Sequence, residues 1–326
     1  MQNELDILSQ CKKMNWDAGI WSQNSSEDLY FSNTAIIRYN NKILVAQRRI
    51  HDYRKLGNFD WRNNFNDIII SELVEDTMEL INSKILVIPS NLKKISYEDP
   101  RFRICPNTND LEIWCCSWRI LEGKNVKMQQ DILKIYEEEK TFVVKEIVTP
   151  AFGFNLTHNA EKNWCPIEDT NLFVYSSHNN HIVFDLVNKT KHESNGISWE
   201  YGEIRGGTPA IRYNDDYIAF MHSSLEINNF KLDINYFYPL KYFLGVYKFS
   251  KKEPYKITSY SSRPILEGSF AGNVTVGSPA VIFPCGIIID QSSQYFIITF
   301  GINDCASGWV KIPIRDIENL FLDIEL

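Results

Sequence analysis

One pattern recurs along the sequence: a short apolar strand, a polar turn and a second apolar strand. Residues 33–49 read NTAIIRYNNKILVAQRR, and residues 208–222 read TPAIRYNDDYIAFMH. The two segments align so that Arg38 lies opposite Arg212 and Arg48 lies opposite His222. Polar Asn-rich turns between apolar runs are typical of β-hairpins. An internal repeat of hairpins restricts the chain to an architecture assembled from similar β units.

Looser copies of the same unit bring the number of starting points to five, near residues 34, 99, 165, 208 and 284. A four-stranded blade of a β-propeller takes about 40 to 50 residues plus its loops. The sequence therefore predicts an all-β fold, a five-bladed β-propeller with peripheral helices. A β-sandwich also has many short strands and is the competing architecture.

Other apolar runs, at residues 67–73, 181–187 and 242–250, are expected to be outer strands of these units. Residues 3–14 and 126–138 show helical periodicity and are expected to form helices at the periphery. We expect a single domain over residues 1–326, with residues 1–30 as a peripheral N-terminal segment.

Composition excludes several classes of protein. The formal net charge is −7 and the pI about 5.5, which argues against a nucleic-acid binder with a broad basic face. No run of about 18 apolar residues is present, so we expect no membrane span. The N-terminus lacks a basic flank followed by an apolar core, and the seven cysteines show no CxxC spacing. We therefore expect reduced thiols and a cytoplasmic location.

Chemistry is suggested first by Asp99, which directly precedes Pro100 at the start of a predicted inner strand. Proline restricts both its own φ and the residue before it, so this carboxyl group is held rigidly, as a general acid must be. An Asx turn entering a strand is the alternative interpretation. Asn33 occupies the equivalent strand entry, and Arg48 and His222 share one repeat position. In a propeller, such residues face one central cavity.

Five short motifs follow one another along the chain, and their order is informative. They are Asn33-Thr34-Ala35, Glu98-Asp99-Pro100-Arg101-Phe102, Glu161-Lys162-Asn163-Trp164-Cys165-Pro166, Arg205-Gly206-Gly207-Thr208-Pro209 followed by Met221-His222, and Phe300-Gly301-Ile302-Asn303-Asp304. This series resembles the signature elements of glycoside hydrolase family 130, which comprises β-mannoside phosphorylases and β-1,2-mannosidases. It also resembles the related mannosyltransferase/phosphorylases of glycosyltransferase family 108.

The resemblance implies a five-bladed propeller and a role for each matched residue. Asp99 would be the proton donor to the glycosidic oxygen, acting through a sugar hydroxyl. Asn33, Glu98 and Asp304 would bind the reacting sugar. The remaining matches would form a cationic wall for phosphate or a sugar-phosphate donor: Arg48, Lys162, Arg205 and His222. The implied activity is inverting transfer of a β-linked mannosyl group between a sugar or oligosaccharide acceptor and that donor.

Two alternatives stay open at this point. A hydrolase on the same scaffold would need a second carboxylate as base, for which Glu203 and Glu168 are the candidates. A non-catalytic glycan-binding propeller would not need Asp99. We expect no cofactor and no metal, because the spacing of His178 and His181 does not converge well on an ion.

Overall fold

The apolar runs form β-strands, and the strands hydrogen-bond into five antiparallel sheets, numbered here in chain order. The structure is a computed structural model that describes residues 2–21, 29–51, 66–92, 96–120, 126–151, 161–226, 240–269 and 280–324. The chain starts with helix α1 (Gln2–Lys13) and strand β1 (Asp17–Ile20).

Four of the sheets contain four strands each. Sheet 1 has β2 (Leu29–Tyr39), β3 (Lys42–His51), β4 (Asn66–Val74) and β5 (Glu79–Ile85). Sheet 2 has β6 (Ser96–Ile104), β7 (Leu111–Ile120), β8 (Val126–Glu138) and β9 (Thr141–Val148). Sheet 3 has β10 (Cys165–Pro166), β11 (Leu172–Ser176), β12 (Asn180–Asp185) and β13 (Lys191–Asn195).

Sheet 4 is larger and branched. Its main path is β14 (Glu203–Gly206), β16 (Asp216–Glu226), β17 (Leu240–Ser250), β18 (Ile257–Ser261) and β23 (Phe321–Asp323). Two further strands pair beside that path, β15 (Ile211–Tyr213) with β16 and β19 (Leu266–Glu267) with β17.

Sheet 5 joins the two ends of the chain. It contains β20 (Ile282–Ile289), β21 (Tyr295–Ile302) and β22 (Ala306–Pro313), and β1 pairs with the outer edge of β22. Helix α2 (Ile314–Glu318) then leads to β23 in sheet 4. The first strands β2, β6 and β20 contact one another, so the sheets are arranged around a common centre as in a propeller.

The all-β class and the propeller arrangement are thus confirmed, whereas the predicted number of five blades is wrong, because only four sheets have the form of a blade. Four sheets have the regular four-stranded form, and sheet 4 has seven strands. The first strand of sheet 4 is interrupted between Gly206 and Ile211. Pro209 has no N–H to donate, and the Ala210 N–H donates to the Pro166 carbonyl of sheet 3 instead of to β16, so β14 and β15 pair separately with β16. The C-terminal β23 adds an outer strand.

Two expectations for helices have different outcomes. The helix expected at residues 3–14 is confirmed as α1, whose Ile7 and Cys11 are buried in the core between sheets 4 and 5. The helix expected at residues 126–138 is wrong, because that segment is β8, paired with β7 and β9 on either side. Its glutamates and lysines favour helix, but the buried Ile132, Leu133 and Ile135 are fixed by packing on both faces of the sheet. The outer strands at 67–73, 181–187 and 242–250 correspond to β4, β12 and β17.

Packing between the sheets positions the central residues. Sheet 1 packs against sheet 2 through a cluster that includes Ala46, Ile68, Tyr97, Phe102 and Ile113. Burial of such aliphatic and aromatic side chains contributes about 1.5–3 kcal/mol each. No helix in the described ranges is long and apolar enough to cross a bilayer.

Candidate active site

Two first strands carry a bulge at a polar residue. In β2 the register shifts between Ser32 and Thr34, and in β6 it shifts between Glu98 and Arg101. The bulged residues are Asn33, with φ 41°, and Asp99, with φ 55°, both in the left-handed region. A bulge redirects its side chain out of the strand's normal alternation. The sequence placed both residues at strand entries, whereas they lie inside the strands.

The two bulges bring their side chains together. Asn33 Nδ2 donates a hydrogen bond to Asp99 Oδ1 at 2.5 Å. Both residues are at least nine-tenths buried. Residues 66 positions apart in the sequence therefore meet at the centre of the molecule, as the repeat alignment predicted.

Arg48 on β3 is the cation of this group. Its Nη2 donates to Glu98 Oε1 at 2.9 Å, and its Nη1 lies 3.5 Å from Asp99 Oδ1 and 3.5 Å from Asp304 Oδ1. Burial alone would lower the pKa of Arg48, but the charges of Glu98, Asp304 and Asp99 raise it overall. One buried guanidinium therefore holds three carboxyl groups from two segments of the chain, Glu98 and Asp99 in β6 and Asp304 after β21.

The two carboxyl groups beside Asp99 hold protons more tightly than usual. Burial raises the pKa of Glu98, although Arg48 acts in the opposite direction. Burial also raises the pKa of Asp304, against the charges of Arg48 and Lys162. Glu98 Oε1 accepts a second hydrogen bond, from Asn66 Nδ2 at 2.7 Å. Asn66 precedes the predicted strand at 67–73, and no sequence signal marked it as a site residue.

A second group of side chains lies on sheet 4. His222 on β16 is directly paired with Arg205 on β14, and Arg205 hydrogen-bonds the Tyr242 hydroxyl. The His222 ring lies parallel to Tyr242, with centroids 5.8 Å apart, and 4.3 Å from Phe283. Tyr242 is the first residue of the strand predicted at 242–250, and no motif marked it as a site residue.

His222 differs from the cation expected from the sequence. Burial lowers its pKa well below the ordinary value, and the charges of Arg205, Arg101 and Lys162 lower it further. The imidazole is therefore neutral near pH 7. It hydrogen-bonds the main chain of Gly206, and its buried Nδ1 has no hydrogen-bond partner among the residues that the structure describes.

Electrostatic interactions join the two groups. Lys162 is exposed, yet its charge acts on Glu98, Asp304 and His222. Burial raises the pKa of Tyr242, and the charges of Asp304 and Asp99 add to that effect. All eight predicted site residues, from Asn33 to Asp304, thus belong to one connected set across sheets 1, 2, 4 and 5 and the segment before β10.

The two carboxylates proposed as a hydrolytic base lie elsewhere. Glu168 accepts a hydrogen bond from the Arg212 main-chain N–H. It lines a cavity of about 270 Å³ together with Ile36 and Phe102, which follow Asn33 and Asp99, respectively, by three positions in the sequence. Glu203 is largely exposed and lies 3.9 Å from Arg205. In the described ranges neither carboxylate contacts Asp99. No three His, Cys, Asp or Glu side chains there cluster as metal ligands would.

Comparison with known proteins gives one family and several structures. The model of the family Glyco_hydro_130, described as beta-1,4-mannooligosaccharide phosphorylase, matches residues 2–322. No curated protein sequence matches the chain.

Similar solved structures include two kinds of protein. The β-1,2-mannobiose phosphorylase of Listeria innocua, in complex with β-1,2-mannobiose, is 14% identical with a TM-score of 0.62, over 93% of this chain and 99% of that one. The mannose phosphorylase MPT-4 of Leishmania mexicana, with phosphate ion, is 10% identical with a TM-score of 0.56, over 98% and 96%. The GDP-Man-dependent mannosyltransferase MPT-1 of the same organism is 12% identical with a TM-score of 0.55, over 95% and 94%. These likenesses show a shared fold.

Proposed function

Because this chain belongs to glycoside hydrolase family 130, we propose that it catalyses inverting transfer of a β-linked mannosyl group between a glycan acceptor and phosphate or a phosphate-bearing sugar donor. The observation that carries this proposal is the placement of Asp99. It is buried at a strand bulge, hydrogen-bonded by Asn33 and next to Arg48. A proton donor needs such a fixed position to reach a leaving oxygen.

In the phosphorolytic direction, Asp99 supplies the proton that the glycosidic oxygen takes as its bond to the mannosyl C1 breaks. A phosphate oxygen attacks C1 from the opposite face, so a β-mannoside gives α-mannose 1-phosphate and the shortened glycan. Phosphate itself is the nucleophile, so this reaction requires no second catalytic carboxylate. Asn33, Glu98 and Asp304 bind hydroxyl groups of the mannosyl residue, since carboxylates and amides are the usual partners of sugar hydroxyls.

The phosphate is bound beside Lys162, Arg205 and Tyr242. These groups are hydrogen-bond donors, and two of them carry positive charge. Neutral His222 is an acceptor through its open nitrogen. Arg48 is already bound to Glu98 and lies close to two further carboxylates. We therefore assign Arg48 to holding the acid and the sugar rather than to the phosphate.

Sheet 4 is not a regular four-stranded blade, yet it supplies Arg205, His222 and Tyr242 to the site in this proposal. Its path β14, β16, β17 and β18 is antiparallel, as in the regular sheets.

The function is tested by a donor and acceptor screen with direct product detection. The purified protein is incubated with β-1,2- or β-1,4-mannobiose, with and without inorganic phosphate. In parallel it is incubated with mannose 1-phosphate or GDP-mannose plus mannose. Formation of α-mannose 1-phosphate that depends on phosphate, or transfer from a phosphate-bearing donor, is expected. Release of mannose without phosphate identifies a hydrolase, and no reaction with any pair rejects the proposal.

Replacing Arg205 by methionine is expected to raise the KM for phosphate about 10- to 100-fold with a small change in kcat. The reason is that one hydrogen bond to a charged group contributes about 1.5–3 kcal/mol. Arg212→Met is the matched control, because Arg212 is an exposed arginine of the same sheet that pairs with Asp169. Equal effects of both variants on the phosphate KM contradict the assignment of Arg205.

Replacing Gly301 by alanine is expected to reduce kcat about 10- to 100-fold. A Cβ atom at Gly301 would overlap the Asn33 side chain and main-chain nitrogen, and so displace the residue that holds Asp99. Gly308→Ala is the control, since a Cβ there would crowd Phe300 and the Gly19 carbonyl instead. Steady-state kinetics and thermal melting separate the two. If both variants lose stability and neither loses kcat, the contact between Gly301 and Asn33 is irrelevant to activity.

A further inference from the structure

Arg101 is a completely buried arginine whose hydrogen-bond acceptors are main-chain oxygens. Its Nε donates to the Gly207 carbonyl at 2.6 Å, its Nη1 to the Asp99 carbonyl at 3.1 Å and its Nη2 to the Gly206 carbonyl at 3.3 Å. It also interacts with the Cys165 thiol. Within the described ranges, no carboxylate lies at ion-pair distance from it.

A buried guanidinium without a carboxylate partner is costly, so its retention calls for a specific explanation. A purely structural arginine has the pattern of Arg103, two residues along the same strand. Arg103 is also buried and also lies over an aromatic ring, Trp114, but it bonds the Asn171 side chain and lies 3.7 Å from Glu112. Arg101 lies over the Phe283 ring at 5.8 Å, and that ring contacts His222.

The acceptors of Arg101 belong to both halves of the site. The Asp99 carbonyl is part of the left-handed bulge that brings the carboxyl group to Asn33 and Arg48. The carbonyls of Gly206 and Gly207 directly follow Arg205, and the main chain of Gly206 is also bonded by His222. One side chain therefore connects the acid on sheet 2 to the phosphate-side residues on sheet 4.

We propose that Arg101 is a positioning residue of this site, which fixes the Asp99 bulge relative to the Arg205–Gly207 strand and supplies a permanent positive charge between Asp99 and His222. This inference rests on the proposed function. The three carbonyl bonds set the distance between proton donor and bound phosphate. The charge attracts the anion. Burial is the main reason that the pKa of His222 is low, and the charges of Arg205, Arg101 and Lys162 lower it further.

The effect of the Arg101 charge can be measured through the pKa of His222. Removing a positive charge makes protonation of a neighbouring imidazole easier, so the His222 pKa should rise when Arg101 becomes methionine. The other groups facing His222 are Arg205 on its own sheet, Lys162 before β10 and Tyr242 on β17. They are unchanged in the variant. Arg101→Lys keeps the charge and should leave the His222 titration near that of the wild type.

The test compares Arg101→Met, Arg101→Lys, Arg103→Met and the wild-type full chain. For phosphorolysis we expect Arg101→Met to lower kcat about 100-fold, because a displacement of about 1 Å in the reacting groups has an effect of that size. Arg101→Lys should recover part of the loss, since it retains the charge and can reach one carbonyl. Arg103→Met should lose thermal stability yet keep kcat within about threefold. NMR titration of the six histidines should show an upward shift of the His222 pKa in Arg101→Met only.

Wild-type kcat and an unshifted His222 in Arg101→Met overturn the proposal, as do equal losses of kcat in Arg101→Met and Arg103→Met. If Arg101→Met does not fold, the comparison is made on Arg101→Lys, where wild-type kcat rejects the role of the three carbonyl bonds. The histidine titration needs no substrate. A wild-type protein inactive on every mannoside therefore rejects the proposed function, while the titration still decides whether Arg101 sets the electrostatics of the site.

Discussion

Asp99→Asn is expected to lower the rate of phosphorolysis of a β-mannobiose about 1,000-fold. General acid catalysis contributes about 10²- to 10⁴-fold, and the amide has no acidic proton to give. The substitution preserves the local structure, because the amide oxygen can still accept the hydrogen bond from Asn33 Nδ2. The KM for the mannoside should change little, and circular dichroism and melting temperature should stay close to those of the wild type.

The leaving group supplies the decisive control for Asp99. A 4-nitrophenyl β-mannoside releases a stable phenolate that needs little protonation, so the loss in Asp99→Asn should shrink to about tenfold or less with this substrate. Asp67→Asn is the matched variant. It removes a carboxylate of sheet 1 that pairs with Arg49, which is not one of the predicted site residues. Equal losses with both leaving groups would mean that Asp99 contributes to binding rather than to proton transfer.

The sequence was sufficient to bring Asp99, Asn33, Arg48 and His222 to one place. The repeat assigns residues to equivalent positions, and equivalent positions in a ring of sheets face the same centre. Proline after Asp99 predicted a rigidly held carboxyl group at the start of a strand, whereas Asp99 lies at a bulge inside β6, and its left-handed φ depends on pairing with β7. The internal repeat and the residue types next to it were therefore the features from which a single sequence could predict the site.

What the sequence could not display is the environment of each charge. Arg48 was expected to bind phosphate, but its neighbours Glu98 and Asp304 come from other sheets, and only the assembled structure brings them within reach. His222 was expected to be a cation, yet burial and three cations distant in sequence make it neutral. Pairing with other strands also explains why residues 126–138 form strand β8 and not the predicted helix. Its composition favours a helix, and the partners that make it a strand lie on either side of it in the sheet.

Arg48→Met is expected to destabilise the protein by about 3 kcal/mol or more at neutral pH. Removing one partner of a buried ion pair typically costs 3–5 kcal/mol, because the remaining charge is left uncompensated. Here three carboxyl groups lose their shared cation. Arg49→Met is the neighbouring control. Its partly exposed pair with Asp67 should contribute about 1 kcal/mol or less.

The pH dependence of this variant has a definite sign. Arg48 lowers the pKa values of Glu98 and Asp304, which burial already raises, so its loss should raise both further. The folded variant then binds more protons than the unfolded chain, and its stability should increase as the pH falls. Urea denaturation at pH 8.5, 7 and 5.5 should therefore show the difference between wild type and Arg48→Met becoming smaller toward acid. A constant difference over this range contradicts a charge effect.

A second substitution separates stability from catalysis in this network. Glu98→Gln removes one of the three carboxyl charges while keeping an oxygen for the hydrogen bond from Asn66. The double variant Arg48→Met/Glu98→Gln should therefore recover a large part of the stability lost in Arg48→Met. Its kcat should stay low, because nothing in the double variant restores the guanidinium that lies against Asp99 and Asp304. If the double variant instead regained activity in parallel with stability, Arg48 would be acting only as a counter-ion for folding, and its assignment to the reacting sugar would be wrong.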